Sequence, residues 1–208
     1  MLRTLAVLTF ALSMAGAVLA ETIFSNLGVD DTYDCCYAWS VYGAGAPIQT
    51  DRGSSFVPLA AYTLDSVDAA FNWYGGNRGG YLWLMSDNSG VPGVVVESFH
   101  FDNLPAAASA ELVTGVSTLH PLLSPGLRYW LVASADPGAF LGMGWNNTGG
   151  TGLVSRDNQG PWGFNPDAAA GAFRVLGTVA AVPEPQTYAL MLGGLAALTV
   201  VMRRRKQG

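Results

Sequence analysis

Across residues 21–182, apolar positions recur at intervals of two rather than three or four. Val67, Ala69, Phe71 and Trp73 alternate with Asp68, Ala70 and Asn72, the spacing of a strand with one face on a core and one in solvent. Residues 81–85 are apolar on both faces, 94–101 are β-branched and aromatic, and 127–133 carry Tyr129 and Trp130. Phe173, Val175 and Val179 alternate with Arg174 and Thr178. Turn chemistry separates these runs: Gly75-Gly76-Asn77, Asp87-Asn88-Ser89-Gly90 and Pro137-Gly138. Only 106–112 has a local helical pattern. Many short strands with frequent Gly predict an all-β domain, a β-sandwich or jelly roll.

Both ends break this pattern. Arg3 precedes an apolar run from Leu5 to Val18, and the small residues Val18 and Ala20 stand just before Glu21. A basic start, a short apolar stretch and a small-x-small site are what a secretory signal peptide needs, which predicts Sec export and cleavage between Ala20 and Glu21. At the other end, Val182-Pro183-Glu184-Pro185 leads into an uncharged stretch, 188–202, and then Arg203, Arg204, Arg205 and Lys206. A helix over 187–202 would cover about 24 Å, slightly short of the ~30 Å hydrocarbon core, so it reads as a marginal single span whose basic tail stays cytoplasmic. The expected organisation is a signal peptide over 1–20, an exported β domain over 21–181, and a terminal segment over 182–208.

Composition sharpens this division. Overall, 50% of residues are hydrophobic, 12% are charged and the formal net charge is -5. Half of the ten basic residues lie in the two end segments; residues 21–182 keep five arginines against fourteen acidic residues, a net charge of -9. So acidic a domain is a poor partner for nucleic acid.

The order Pro-Glu-Pro, apolar stretch with Gly193-Gly194, Arg-rich end resembles the PEP-CTERM sorting signal. That resemblance implies an exported substrate of an exosortase-type membrane enzyme in bacteria that build exopolysaccharide. Recognition would fall at Pro183, Glu184 and Pro185, with removal of the apolar stretch and of the stop-transfer residues Arg203–Lys206. The two prolines lack amide donors and restrict their neighbours, so the motif cannot continue a helix. A second pattern resembles the choice-of-anchor exported domains, which carry no assigned enzymatic activity. It runs through Ser25-Asn26-Leu27-Gly28, Tyr33, Trp39, Leu84-Met85-Ser86-Asp87, Pro92-Gly93, Tyr129-Trp130-Leu131-Val132 and Phe173-Arg174-Val175.

Candidate chemistry is sparse. Cys35 and Cys36 are adjacent and are the only two cysteines. Their Cα atoms would lie about 3.8 Å apart, below the usual ~4.4–6.8 Å of a disulfide. A strained vicinal bridge, intermolecular bridges, and thiols on opposite strand faces all remain open. Asp30, Asp31 and Asp34 offer hard oxygen ligands suited to calcium, but without the EF-hand spacing, and no metal or other cofactor is expected. Of two histidines, His100 falls in a predicted strand and His120 precedes Pro121. No nucleophile elbow, zinc-protease or phosphate-loop motif occurs, and no catalysis is expected. Trp73, Tyr74, Tyr81, Trp83, Trp145 and Trp162 lie in or beside Gly- and Asn-rich stretches. Trp145 and Trp162 look least strand-like and are the expected exposed rings for stacking on a sugar face. The functional expectation is a surface or matrix protein without catalytic activity, a polysaccharide-binding module being the alternative and a secreted hydrolase the third reading.

Overall fold

The alternation folds into two antiparallel sheets. The computed structural model describes residues 20–107, 109, 111–137, 139, 142–180 and 191–194, with the side chains of Cys35 and Cys36 excepted. Residues 1–19 of the expected signal peptide, the Pro-Glu-Pro motif, the expected span over 187–202 apart from 191–194, and the basic tail therefore lie outside the described residues. In chain order the described strands are β1 (Glu21–Ser25), β2 (Asp34–Val41), β3 (Thr50–Phe56), β4 (Tyr62–Ala69), β5 (Phe71–Trp73), β6 (Gly80–Asn88) and β7 (Val91–Phe101). They continue with β8 (Val113–Val116), β9 (Leu122–Leu123), β10 (Tyr129–Ala135), β11 (Met143–Asp157), β12 (Gly163–Gly171) and β13 (Phe173–Val179). The smaller sheet runs β1-β13-β4-β8 with β9 also on β4; the larger runs β12-β11-β3-β10-β6-β7, with β2 and β5 also on β11.

The core lies between the sheets. The larger sheet contributes Phe56, Leu82, Leu84, Phe99, Tyr129 and Leu131; the smaller contributes Ile23, Leu64, Val67, Leu123, Phe173 and Val175. Phe173 sits at the centre of a ring cluster, stacked on Phe24 at 5.0 Å and within 6.2 Å of Phe56 and 6.1 Å of Trp145. Such pairs contribute roughly 0.5–1.5 kcal/mol each beyond the area they bury.

One predicted strand is two. The run from Val67 to Trp73 breaks at Ala70, where the chain leaves the smaller sheet with β4 and enters the larger with β5. Its polar positions are therefore not solvent-facing: Asp68, Ala70 and Asn72 are all buried. The chain makes the reverse crossing at Ala172, between β12 and β13. The two crossings meet on β11 in a closed ring of backbone bonds. Ala70 N–H donates to Ala172 O (3.1 Å), Ala172 N–H to Asn146 O (2.8 Å), and Asn146 N–H to Ala70 O (2.9 Å). Backbone groups that have left one ladder and not joined the next need such partners when buried. The residues that supply them, Ala70, Ala172 and Asn146, are small or amide-bearing.

The turns behave as their residues require. Asn88 pairs with Val91, so Ser89 and Gly90 form a two-residue hairpin loop, with φ of 56° and 90°. Positive φ at both positions is the turn whose twist matches the strands, and Gly meets it without a steric cost. The described residues of 106–112 are not helical: Ala106 bridges Trp73 and accepts a bond from Ser109 N–H.

Candidate functional site

Trp145 is not an exposed ring. It is 0% exposed on β11, its indole Nε1–H donates to Ala172 O at 2.9 Å, and it packs edge-on to Phe71 at 5.4 Å. The neighbouring Gly and Asn residues, which suggested a loop, are there to make room and to satisfy the seam. A Cβ on Gly144 would overlap the Tyr74 ring and the Asn72 side chain, and Asn146 Nδ2 donates to Ala70 O at 2.9 Å; across the sheet, a Cβ on Gly171 would overlap the Trp145 ring.

Trp162 is half-buried and leads to a different set of aromatics, on the outer face of the larger sheet. There Met85, Trp130, Val132 and Val154 form a second buried cluster, flanked by Trp83 and Trp162. Its register explains it. Val132 on β10 lies opposite Trp83 on β6 and opposite Gly53 on β3, which in turn lies opposite Val154 on β11. A Cβ on Gly53 would stand 2.8 Å from Val154 Cγ2, so the bare position lets Val132 and Val154 close over β3. Phe164, 54% exposed, meets Trp130 edge-on at 6.4 Å, and Tyr81 continues the strip 6.3 Å from Trp83.

Charged groups frame this strip. The Arg156 guanidinium lies 4.5 Å over the Trp162 ring while its Nε–H donates to Asp51 at 2.7 Å. Asp51 is 1% exposed, and its other oxygen is without a hydrogen-bond partner. Trp130 Nε1–H donates to Asp87 at 2.8 Å, and Arg128 lies 5.9 Å over the Trp130 ring. Sequence reasoning missed Trp130, Phe164 and the Asp51–Arg156 pair, because only the strand register brings them together.

The remaining candidates are tied into the scaffold. Asp31 accepts from Arg174 Nη1 with both carboxylate oxygens, at 2.7 and 2.8 Å, and Arg174 also holds buried Asp68. Partial burial works against the Arg174 charge, but its bonds to Asp68 and Asp31 outweigh burial and raise its pKa. Among the described residues no group of three or more His, Cys, Asp or Glu is arranged to hold a metal. His100 on β7 is bracketed by Asp136 (Nε2 to Oδ1, 2.9 Å) and Asp102 (Nδ1 to Oδ1, 3.3 Å), on opposite sides of its ring. His120 has its Nδ1 3.0 Å from Leu64 O. Buried Glu97 accepts from Ser117 Oγ and from the Thr118 and Leu119 amides, fastening the β8–β9 connection to β7. Cys35 and Cys36 fall in β2, their side chains outside the description.

Ala20 and Glu21, the expected cleavage junction, stand at the start of β1, and Glu21 pairs with Gly177 near the end of β13. Among the described residues no helix is long and apolar enough to cross a membrane.

A PEP-CTERM protein-sorting motif matches residues 181–206. It implies exosortase-dependent sorting to the cell surface: an exported chain, anchored in a membrane, then processed by an exosortase-type membrane enzyme. No curated protein matches the chain.

Proposed function

We propose that this chain is an exported surface protein of the extracellular matrix whose β domain serves as a non-catalytic building block, delivered by Sec and released from its anchor through Pro183-Glu184-Pro185. The sorting motif at 181–206 carries this reading. The non-catalytic part draws support from how the domain uses its ionisable groups. His120, Asp51, Asp68 and Glu97 each tie strands or loops together at separate places, and His100 with Asp136 joins β7 to the end of β10. Replacing Pro183, Glu184 and Pro185 together with Ala should leave the protein in the membrane fraction of its native host, whereas the unaltered chain reaches the surface fraction. Equal surface delivery of both would remove the reading.

The outer-face strip favours a second reading, polysaccharide binding within the same destination. Half-buried Trp83, Tyr81 and Trp162 with exposed Phe164 present ring faces on a rigid sheet, and rings combine apolar area with little loss of conformational freedom. Trp145 takes no part, being inside the core. Matrix polysaccharide from the host should shift the intrinsic fluorescence of the unaltered chain and not that of a Trp83→Ala, Trp162→Ala variant. An unchanged spectrum at saturating polysaccharide would dismiss this reading.

A further inference from the structure

The chain enters and leaves the domain at one end. β1 and β13 are antiparallel neighbours, with Glu21 beside Gly177, so the segments before Ala20 and after Ala180 emerge one strand spacing apart. Ala180 N–H is fixed to Ala61 O at 2.9 Å. This is the same end at which the 57–61 connection joins β3 to β4 and the 124–128 connection joins β9 to β10, held together by Gly126 N–H to Pro58 O at 2.9 Å.

That end is apolar where solvent would favour polar residues. Leu59 is 89% exposed, Leu122 60%, Leu127 57%, Val179 48% and Val57 39%. Val57 and Leu127 also form the apolar side of a depression of about 550 Å³ whose other lining residues are Ser86, Asp87, Gly126, Arg128 and Tyr129. Single exposed apolar residues are ordinary, whereas a group on adjoining connections marks a contact surface. Ile48, the exposed apolar residue just before β3, lies at the opposite end.

We infer that this end of the sandwich is a membrane-resting face, whose Val57, Leu59, Leu122, Leu127 and Val179 enter the lipid interface while the chain is anchored. The inference rests on the sorting reading, which supplies the membrane-anchored stage. Seven residues lie between Ala180 and Tyr188, where the apolar stretch begins, and at full extension the eight Cα–Cα steps span less than ~30 Å. The tether thus holds this end within reach of the bilayer. At such effective concentration a weak apolar contact suffices. Lipid is favoured over a second copy because two copies meeting here would each have to clear their own tether. It is favoured over the apolar stretch itself because, on the sorting reading, residues 188–202 are held in the bilayer while the chain is anchored. With the domain at -9, attraction to anionic headgroups is not the source of contact, so phosphatidylcholine alone should support it.

The test uses the full chain in phosphatidylcholine vesicles, with photoactivatable benzoylphenylalanine in place of Leu59, Leu127 or, as control, Ile48. After flotation and irradiation, lipid adducts should form at positions 59 and 127 and stay at background at 48, unchanged by added salt. A chain that floats yet gives no lipid adduct at 59 and 127, or equal adduct at 48, overturns the inference and leaves the sorting reading standing. Adducts to residues 188–202 or to a second copy overturn it in favour of that occupant. A chain that does not float overturns the inference together with the anchoring on which it rests.

Discussion

Two tryptophans of similar sequence setting have opposite roles, and their substitution separates them. Trp145→Ala removes a fully buried ring with a satisfied indole N–H and should cost about 3–5 kcal/mol of stability, read by denaturant unfolding. Trp162→Ala removes a half-buried ring lying under Arg156 and should cost about 1 kcal/mol. Equal losses would contradict these placements. The sequence could not distinguish them, because Gly and Asn beside Trp145 serve a packed seam while Pro161 and Gly163 beside Trp162 serve a surface connection.

Two phenols resist ionisation in the folded chain. Burial first, and the Glu111 charge second, raise the Tyr33 pKa above 10.0; burial, then a hydrogen bond to Glu21 and its charge, raise that of Tyr62. A raised folded-state pKa means the folded form prefers the protonated phenol. The resulting stability is therefore complete below the unfolded-state value of about 10 and lost as pH climbs through the folded-state value. The Tyr33→Phe, Tyr62→Phe variant should hold its unfolding midpoint better than the unaltered chain between pH 10 and 12. A parallel fall in both would sink this assignment.

At the scale of elements, the seam where the chain changes sheets is the most demanding feature. Asn146 and Asn72 are both fully buried; Asn72 Nδ2 donates to Asn146 Oδ1 at 3.3 Å, and Asn72 Oδ1 has no partner. Asn146→Ala should cost about 2–3 kcal/mol, because it strips Asn72 of this bond and Ala70 O of its side-chain donor. Adding Asn72→Ala should cost less than it does alone, since the stranded amide goes with it. Strict additivity in chemical denaturation would refute the coupling. The strands themselves were readable, from alternation at β13 and from apolar and aromatic runs at β6 and β10. The crossings at Ala70 and Ala172 were not, because alternation registers which face a side chain takes and is silent on which sheet the strand has joined.

For the whole molecule, the terminal address was legible because it is linear: Pro-Glu-Pro, an apolar stretch and a basic tail need no tertiary structure to be recognised. The outer-face strip and the apolar end were illegible for the converse reason. Trp83, Trp130 and the pair Trp162 and Phe164 are far apart in the sequence, as are Leu59, the pair Leu122 and Leu127, and Val179. The placement of both chain exits at one end joins the two kinds of information, since on the proposed anchoring the membrane is met there. The account stands on that address being used. Intact mass of the protein from the surface fraction of its native host tests this directly: it predicts a species beginning at Glu21 and lacking Arg203–Lys206. A surface species that retains those four residues would contradict it.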